Sequence, residues 1–491
     1  MSAVLTTGPS TDLAAAASAR APAPAAVAAL RASLSAGEPA LAEAYAALDH
    51  RPIWIEGRTL RPEAGRLVEL LARADEDGLD PARYDVEGLR SALRAARGGD
   101  PAALAEAERR LSLAYARWTL DLRAVPGEAR PVVTDPEALP DLHSLPATLA
   151  AAARAPDLRT HLEQRRLRHP VHDALAARHE AWVRRWGGLP ATTVPEGAPI
   201  GPGSAGPRVA ALRARLGLPA AATAPDRFDA TLEARLKDFQ TDHGLSPTGR
   251  ADAATLARLN EAPAVFEARL RANLLRARAL PAPSGRHLLV DTAAQTLWMY
   301  EGSRVVGSMP VVVGKPAQPT PMLAGVVRYA VFEPYWNLPP DLAGAGIARR
   351  VLASGPGRLE AEHMEVLSDW TDEARVLKAE EVDWAGAVAG RTALRVRQKP
   401  GPWNMMGRVK FMLPNTLGIY LHDTPDKALF ERETRAFSAG CVRVSDPDRL
   451  AAWLFGESEA AALITPRGEP ERRVHLAEPV PVYLTYFTVA P

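Results

Sequence analysis

The hydrophobic period of this chain changes at Arg286, and no single architecture accommodates both sides of the change. From about residue 36 to 185, apolar positions recur at helical spacing, as in Leu67, Leu70, Leu71 and Ala74, and strand-like runs are few. From Arg286 onward, HLLVDTAAQTLWMYEGSRVVGSMPVVVG and then LRVRQ, VKFML, GIYLHDTP, CVRV and PVPVYLTYFTVAP alternate or run in short β-rich blocks between Gly and polar turns. A period of 3.6 buries one stripe of a helix, whereas a period of 2 buries one face of a sheet. The first part therefore reads as a helical scaffold and the last as a mainly antiparallel β domain, giving a multidomain α+β chain. At 491 residues it exceeds what one hydrophobic core serves, and about three domains are expected.

Between the two parts, GGLPATTVPEGAPIGPGSAGP (187–207) is a Gly- and Pro-rich break. After it, Val209, Leu212 and Leu216 share one helical face, and Leu232, Leu236 and Phe239 share another. Gly244 is placed to cap the second helix in a left-handed conformation, and TGRADAATLARLN supplies a turn and a third helix. The expected boundaries are a flexible tail over 1–35, the scaffold over 36–197 and a three-helix unit over 198–262. A return to the scaffold and a linker follow over 263–284, then the β domain over 285–491. Within that domain a mixed insertion at about 334–393, entered through YWNLPPDL, reads as a lid-like cap. In the scaffold, GLDPARY (78–84) marks a helix stop followed by a helix start.

Composition excludes several function classes. With 59 basic against 58 acidic side chains, net charge points to neither nucleic acid nor an anionic membrane. No apolar run of about 18 residues suggests a membrane span. The Ala- and Pro-rich start lacks the basic lead and Leu-rich core of an export signal. His161, His169, His172 and His179 are broken by Pro170 and joined by no cysteine, so they read as helix-surface residues rather than a metal site. Cys441 is the only cysteine, which rules out an internal disulfide and CxxC chemistry.

That cysteine lies in AFSAGCVRV (436–444). If GIYLH is a strand, Tyr420 and His422 point to one face while Ile419 and Leu421 face the core. Likewise Cys441 and Arg443 share a face while Val442 and Val444 bury. Two adjacent strands of this kind gather Tyr420, His422, Cys441 and Arg443 on one surface. A thiol beside an imidazole is expected to form a thiolate–imidazolium pair, a nucleophile competent at neutral pH. Gly440 allows a tight turn that presents N–H groups to a developing oxyanion. Taken singly, Cys441 also reads as a small buried hydrophobe and His422 as a satisfied core histidine.

Two resemblances follow from these residues. The Val209, Leu212 and Leu216 helix, FQ-x-x-x-GL at Phe239–Leu245, Gly249 and Thr255 resemble the small peptidoglycan-binding domain of cell-wall enzymes. His422, Ser438, Gly440, Cys441 and Arg443, with 441 − 422 = 19 positions from His to Cys, resemble the signature of the L,D-transpeptidase (YkuD-type) catalytic domain. RQKPGPWNMMGRVKFMLPN (397–415) resembles the subgroup of large periplasmic enzymes with a helical scaffold, a peptidoglycan-binding domain and a capping insertion. The resemblance implies that Cys441 is the nucleophile, His422 the base, and the N–H groups around Gly440 and Cys441, with Tyr420, the oxyanion site. Ser438 belongs to the same motif, and Trp336, Asn337, Trp403 and Asn404 would shape the substrate groove. Arg443 would position a substrate carboxylate or pair with an acid such as Asp446, and the residues leave both open.

It further implies attack on the third residue of a peptidoglycan tetrapeptide stem, release of D-alanine, and transfer to another stem's amine to form a 3,3 cross-link. Hydrolysis by an L,D-carboxypeptidase, lipoprotein anchoring, or plain peptidoglycan binding are the alternatives. No cofactor or metal is implied. The implied partners are stem peptides and glycan, with carbapenem β-lactams as covalent inhibitors, in the periplasm. Position 439 departs from the pattern, with Ala where many members carry His.

Overall fold

A computed structural model of the chain describes residues 21–35, 38–77, 79–125, 127–138, 144–166, 168–220, 224–282, 285–339 and 342–489. They fall into two compact units, one of 1–127, 140–173 and 277–283, the other of 128–139, 174–276 and 284–491. The first is helical. Asp100 accepts a hydrogen bond from the Ala103 N–H and Pro101 takes the first helical position, which starts the helix Pro101–Arg123. That helix lays Leu111, Tyr115 and Trp118 against Leu67, Leu71, Tyr45 and Trp54 in one buried core. The expected flexible tail over 1–35 is corrected here, because Pro24–Ser35 is a helix that buries Ala26, Leu30 and Leu34; an Ala-rich composition hid its apolar stripe. Residues 1–20 of that tail lie outside the described residues. His161 meets the Tyr115 hydroxyl at 2.7 Å, and among the described residues no group of three or more His, Cys, Asp or Glu is placed to hold a metal.

In the second unit the three helices Pro207–Arg215, Ala230–Asp242 and Ala253–Asn260 form as the pattern indicated. Gly244 has φ +72°, and Leu245 N–H returns to the Gln240 carbonyl at 2.7 Å, closing the helix as expected. Gln240 is fully buried. Its amide nitrogen donates to Thr248 Oγ1, the Arg250 carbonyl and Thr255 Oγ1, and its oxygen accepts from Gly249 N–H at 2.9 Å. The core of this part is not closed by three helices alone: Trp182, Trp186, Phe266, Leu270 and Val489 complete it. The scaffold boundary at 197 is corrected accordingly, since 174–276 group with the second unit; of the stretch 263–284 expected to return to the scaffold, 277–283 group with the first unit and 263–276 do not.

The rest of the second unit is a ring of eight strands, here β1 (Arg286–Asp291), β2 (Thr296–Glu301), β3 (Arg304–Gly314), β4 (Leu323–Phe332), β5 (Val409–Met412), β6 (Leu421–His422), β7 (Val442–Val444) and β8 (Arg472–Thr485). The order runs β5-β6-β7-β3-β2-β1-β8-β4, and β4 pairs again with β5, so the ladder returns to its start. Pairing is antiparallel except at β6–β7 and β1–β8. Closing a sheet on itself leaves few edges to protect. Leu288, Val290, Leu297, Val311, Phe411, Leu421, Val442 and Val444 fill the inside, with Leu450 and Leu454 of the helix Pro447–Phe455 packed among them.

LRVRQ alternates like the barrel strands but does not join them. Arg395–Gln398 pairs with Met364–Leu367 and with Trp336–Asn337, in a separate four-stranded sheet completed by Val376–Leu377. The insertion thus runs from Trp336 to Gln398 and has its own core of Leu338, Ile347, Val351, Val366, Trp384 and Val396. Alternation identifies a strand but not its partner, which is why the expected end at 393 fell short. Both legs of the insertion are tied down. Glu333 Oε1 accepts the Gly468 N–H, and its Oε2 those of Arg467 and Glu469, while Asn404 Nδ2 donates to the carbonyls of Pro334, Gln398 and Lys399.

Candidate active site

β6 and β7 run parallel with Leu421 opposite Val442 and His422 opposite Arg443. Residues opposite one another in a ladder share a face, so burial of Leu421 and Val442 in the ring core sends His422 and Arg443 to the other side. Val442 N–H meets the Tyr420 carbonyl at 3.1 Å, which brings Tyr420 beside Cys441. The four residues expected on one surface are therefore together. Lys410 of β5 lies opposite His422 on its other flank, so the row reads Lys410, His422, Arg443 across three strands. Sequence reasoning missed Lys410; its place beside the imidazole is set by a pairing that spacing does not encode.

His422 is buried, and its Nδ1 donates to the Asp423 carbonyl at 2.6 Å, which leaves Nε2 with the free lone pair. The imidazole is thus oriented by a backbone carbonyl, that of Asp423, and not by a side chain. That acid is itself fixed, its carboxylate accepting from Arg408 N–H at 2.8 Å and Lys427 Nζ at 2.7 Å. Ala439 is exposed and takes no part in holding the ring.

Burial, reinforced by Arg443, holds the His422 pKa at about 3, and burial also pushes the Cys441 thiol above its ordinary value. Hydrogen bonds from Tyr420 and the charge of Arg443 offset part of the shift on the thiol. Both shifts run against the expected thiolate–imidazolium pair, since burial favours the uncharged thiol and the uncharged imidazole. Cys441 Sγ donates to the Gly418 carbonyl at 3.4 Å. Burial likewise raises the Tyr420 phenol and lowers Arg443, whose Nε is buried without a hydrogen-bond partner.

The turn before β7 is built around Ser438. Its hydroxyl donates to the Cys441 carbonyl at 2.6 Å and accepts the Gly440 N–H at 3.1 Å. Gly440 has φ +120°, a conformation that favours glycine. Its N–H, expected at the oxyanion site, is already engaged by Ser438, so Gly440 shapes the turn and the Cys441 N–H is the donor left to face a substrate.

The groove residues divide. Trp336 packs on the core of the insertion while its neighbour Asn337 is exposed, as strand alternation requires. Trp403 is 41% exposed and stacks on His363 with ring centroids 3.5 Å apart. Asn404 is corrected from groove to frame: it is fully buried, and its oxygen accepts from Met406 N–H while its nitrogen serves the three carbonyls above.

Comparison with known proteins gives three domain matches. Residues 285–464 match the L,D-transpeptidase catalytic domain (YkuD), residues 39–178 match a scaffold domain and residues 209–259 match a peptidoglycan-binding domain. A Haemophilus influenzae protein bearing the name of an L,D-transpeptidase is 30% identical over 190 residues, which cover 39% of this chain and 37% of that relative. The match thus spans little more than a third of the relative's length. Among solved structures, an L,D-transpeptidase from Mycobacterium smegmatis is 14% identical with a TM-score of 0.19, over 41% of this chain and 59% of its own. An L,D-transpeptidase in complex with imipenem is 13% identical with a TM-score of 0.18, over 41% and 59%. Overlays this slight add nothing to the fold described above.

Proposed function

We propose that Cys441 is the nucleophile of an L,D-transpeptidase that forms 3,3 cross-links in peptidoglycan. The observation that carries this reading is the pairing of β6 with β7, which sets His422, Tyr420, Cys441 and Arg443 on one face within a domain matched to that catalytic family. As the thiol attacks the carbonyl of the third stem residue, His422 Nε2 takes its proton, and Sγ–C forms as the carbonyl π electrons move to oxygen. The Cys441 N–H would donate to that oxygen, with the Tyr420 hydroxyl, which rests on Met406 Sδ at 3.5 Å, as the second donor. Collapse breaks the C–N bond, His422 returns the proton to the leaving D-alanine amine, and a thioester remains on Cys441. An amine from a second stem then attacks the thioester, His422 takes its proton, and the thiol is released. Arg443, with its unsatisfied Nε, is suited to a substrate carboxylate, and residues 209–259 would hold the enzyme on its polymer. Work on such a polymer would take place outside the cytoplasm, in the periplasm.

The test is intact-mass analysis after incubation with a carbapenem, a probe suggested by the relative holding imipenem. One adduct is expected on the wild type and none on Cys441→Ala; an adduct that persists without the thiol overturns the assignment. Mass spectrometry of muropeptides after incubation with tetrapeptide-bearing peptidoglycan should show 3,3-linked dimers. Tripeptide monomers alone would make the chain a carboxypeptidase instead.

A further inference from the structure

The turn that carries Cys441 is held from outside by a loop far away in sequence. Gly314, at the end of β3, allows residues 315–320 to fold back against it; a Cβ there would lie 2.3 Å from the Gln318 carbonyl oxygen and 2.4 Å from Thr320 N. The folded loop then grips the turn at two points. Lys315 N–H donates to the Ser438 carbonyl at 2.9 Å, and Thr320 Oγ1 donates to the Gly440 carbonyl at 2.8 Å while accepting the Gly314 N–H at 2.9 Å. Thr320 is 1% exposed, so its hydroxyl has no water to fall back on. Together with the Ser438 hydroxyl on the Cys441 carbonyl, three carbonyls of the turn are fixed.

A peptide plane held at its carbonyl has its N–H direction set as well. The Gly440 carbonyl and the Cys441 N–H belong to one such plane. Thr320 itself is fixed in turn: the Tyr486 hydroxyl donates to its carbonyl at 2.5 Å. The Tyr486 carbonyl accepts from Arg276 at 3.0 Å, and Thr488 N–H donates to Asn273 at 2.9 Å.

We propose that Thr320 is a positioning residue for catalysis, aiming the Cys441 N–H at the oxyanion through the Gly440–Cys441 peptide, with Tyr486 as its support. The inference rests on Cys441 being the nucleophile proposed above. Donors that stabilise developing charge act only when aimed in advance, so a freed peptide plane loses rate and not recognition. Alkylation of a thiol develops no oxyanion and is a control for the state of Cys441 itself.

The experiment uses the full chain and compares Thr320→Val, Thr320→Ser and Tyr486→Phe with the wild type. It measures carbapenem acylation as a function of concentration, iodoacetamide alkylation, and thermal unfolding. Thr320→Val should lower the saturating acylation rate at least tenfold with the half-saturating concentration and the alkylation rate each within about twofold, the scale on which one oxyanion donor acts. Thr320→Ser, which keeps the hydroxyl, should restore the rate to within about threefold of wild type. Tyr486→Phe should lower the saturating rate in the same direction by a smaller factor, and it decides the matter if Thr320→Val fails to fold. Wild-type acylation by a folded Thr320→Val, equal damage from Val and Ser, or parallel losses of acylation and alkylation each overturn the role. A wild type that carbapenem does not acylate at all overturns the nucleophile reading, and this inference with it.

Discussion

Burial that favours the uncharged forms changes what His422 and Cys441 are asked to do. A pre-formed thiolate needs its imidazolium neighbour only for charge, whereas a neutral thiol needs a base at the moment of attack. His422→Ala is therefore expected to slow carbapenem acylation about a hundredfold or more in a folded protein, the scale of a positioned base; near-normal acylation by that mutant, followed by intact mass, would count against the role. The same burial has a thermodynamic side. The His422 pKa is held at about 3 in the fold, below its ordinary value of 6.5, so between those values the unfolded chain binds a proton that the fold refuses. Stability from this group is full above pH 6.5 and declines as pH falls toward 3, by up to about 1.4 kcal/mol per pH unit. His243 and His287, each held at about 4 chiefly by burial, act in the same sense, while Asp291, raised to about 6 by burial, acts in the opposite one. Denaturant melts at a series of pH values should show His422→Phe flattening this slope, and an unchanged slope would reject the buried neutral imidazole. Of the site, the side chains were legible in sequence because strand alternation fixes faces. Their protonation states were not, because burial depends on what the rest of the ring places above them.

The strands and the insertion differ in how much of them a sequence discloses. Val409–Met412 and Arg395–Gln398 both alternate, yet one closes the barrel and the other belongs to the insertion, since period 2 specifies a face and leaves the partner open. The lid-like reading of the insertion meets a different finding: its two legs are stapled by Glu333 and by Asn404. Removing Asn404 strands two buried carbonyls, a partly buried third and the buried Met406 N–H. Asn404→Ala is accordingly expected to destabilise the catalytic part by about 3 kcal/mol, the order set by leaving buried polar groups unpaired. Urea melts measure this directly. A change below about 0.5 kcal/mol, the usual range of a surface substitution, would show that the legs do not depend on it.

For the molecule as a whole, the first barrel strand starts at Arg286, where the period changes, whereas the Gly- and Pro-rich break lies inside the second compact unit. Deleting 201–260 would remove the small helical part and uncover Trp182, Trp186, Phe266 and Leu270. It is a poor test of polymer binding. Gln240→Ala is a better one, because that side chain secures the loop through Thr248, Gly249 and Arg250 and the third helix through Thr255, all within the small helical part. It should reduce co-sedimentation with peptidoglycan while carbapenem acylation stays within about twofold, the distribution expected when binding and chemistry occupy independent sites; loss of acylation with unchanged sedimentation would reverse the assignment. The completion of this core by Val489 also sets an order in time. The third helix of the small part ends at Asn260, so 489 − 260 = 229 further residues must be made before Val489 can enter. Domains that fold as they emerge do so from their N-terminal side, and this one has to wait for the barrel to be synthesised before its last apolar contact exists. Its folding during synthesis is thus bound to that of the barrel, and a ribosome-stalled chain ending before residue 486 should expose Trp182 and Trp186 to quenchers that the finished protein excludes.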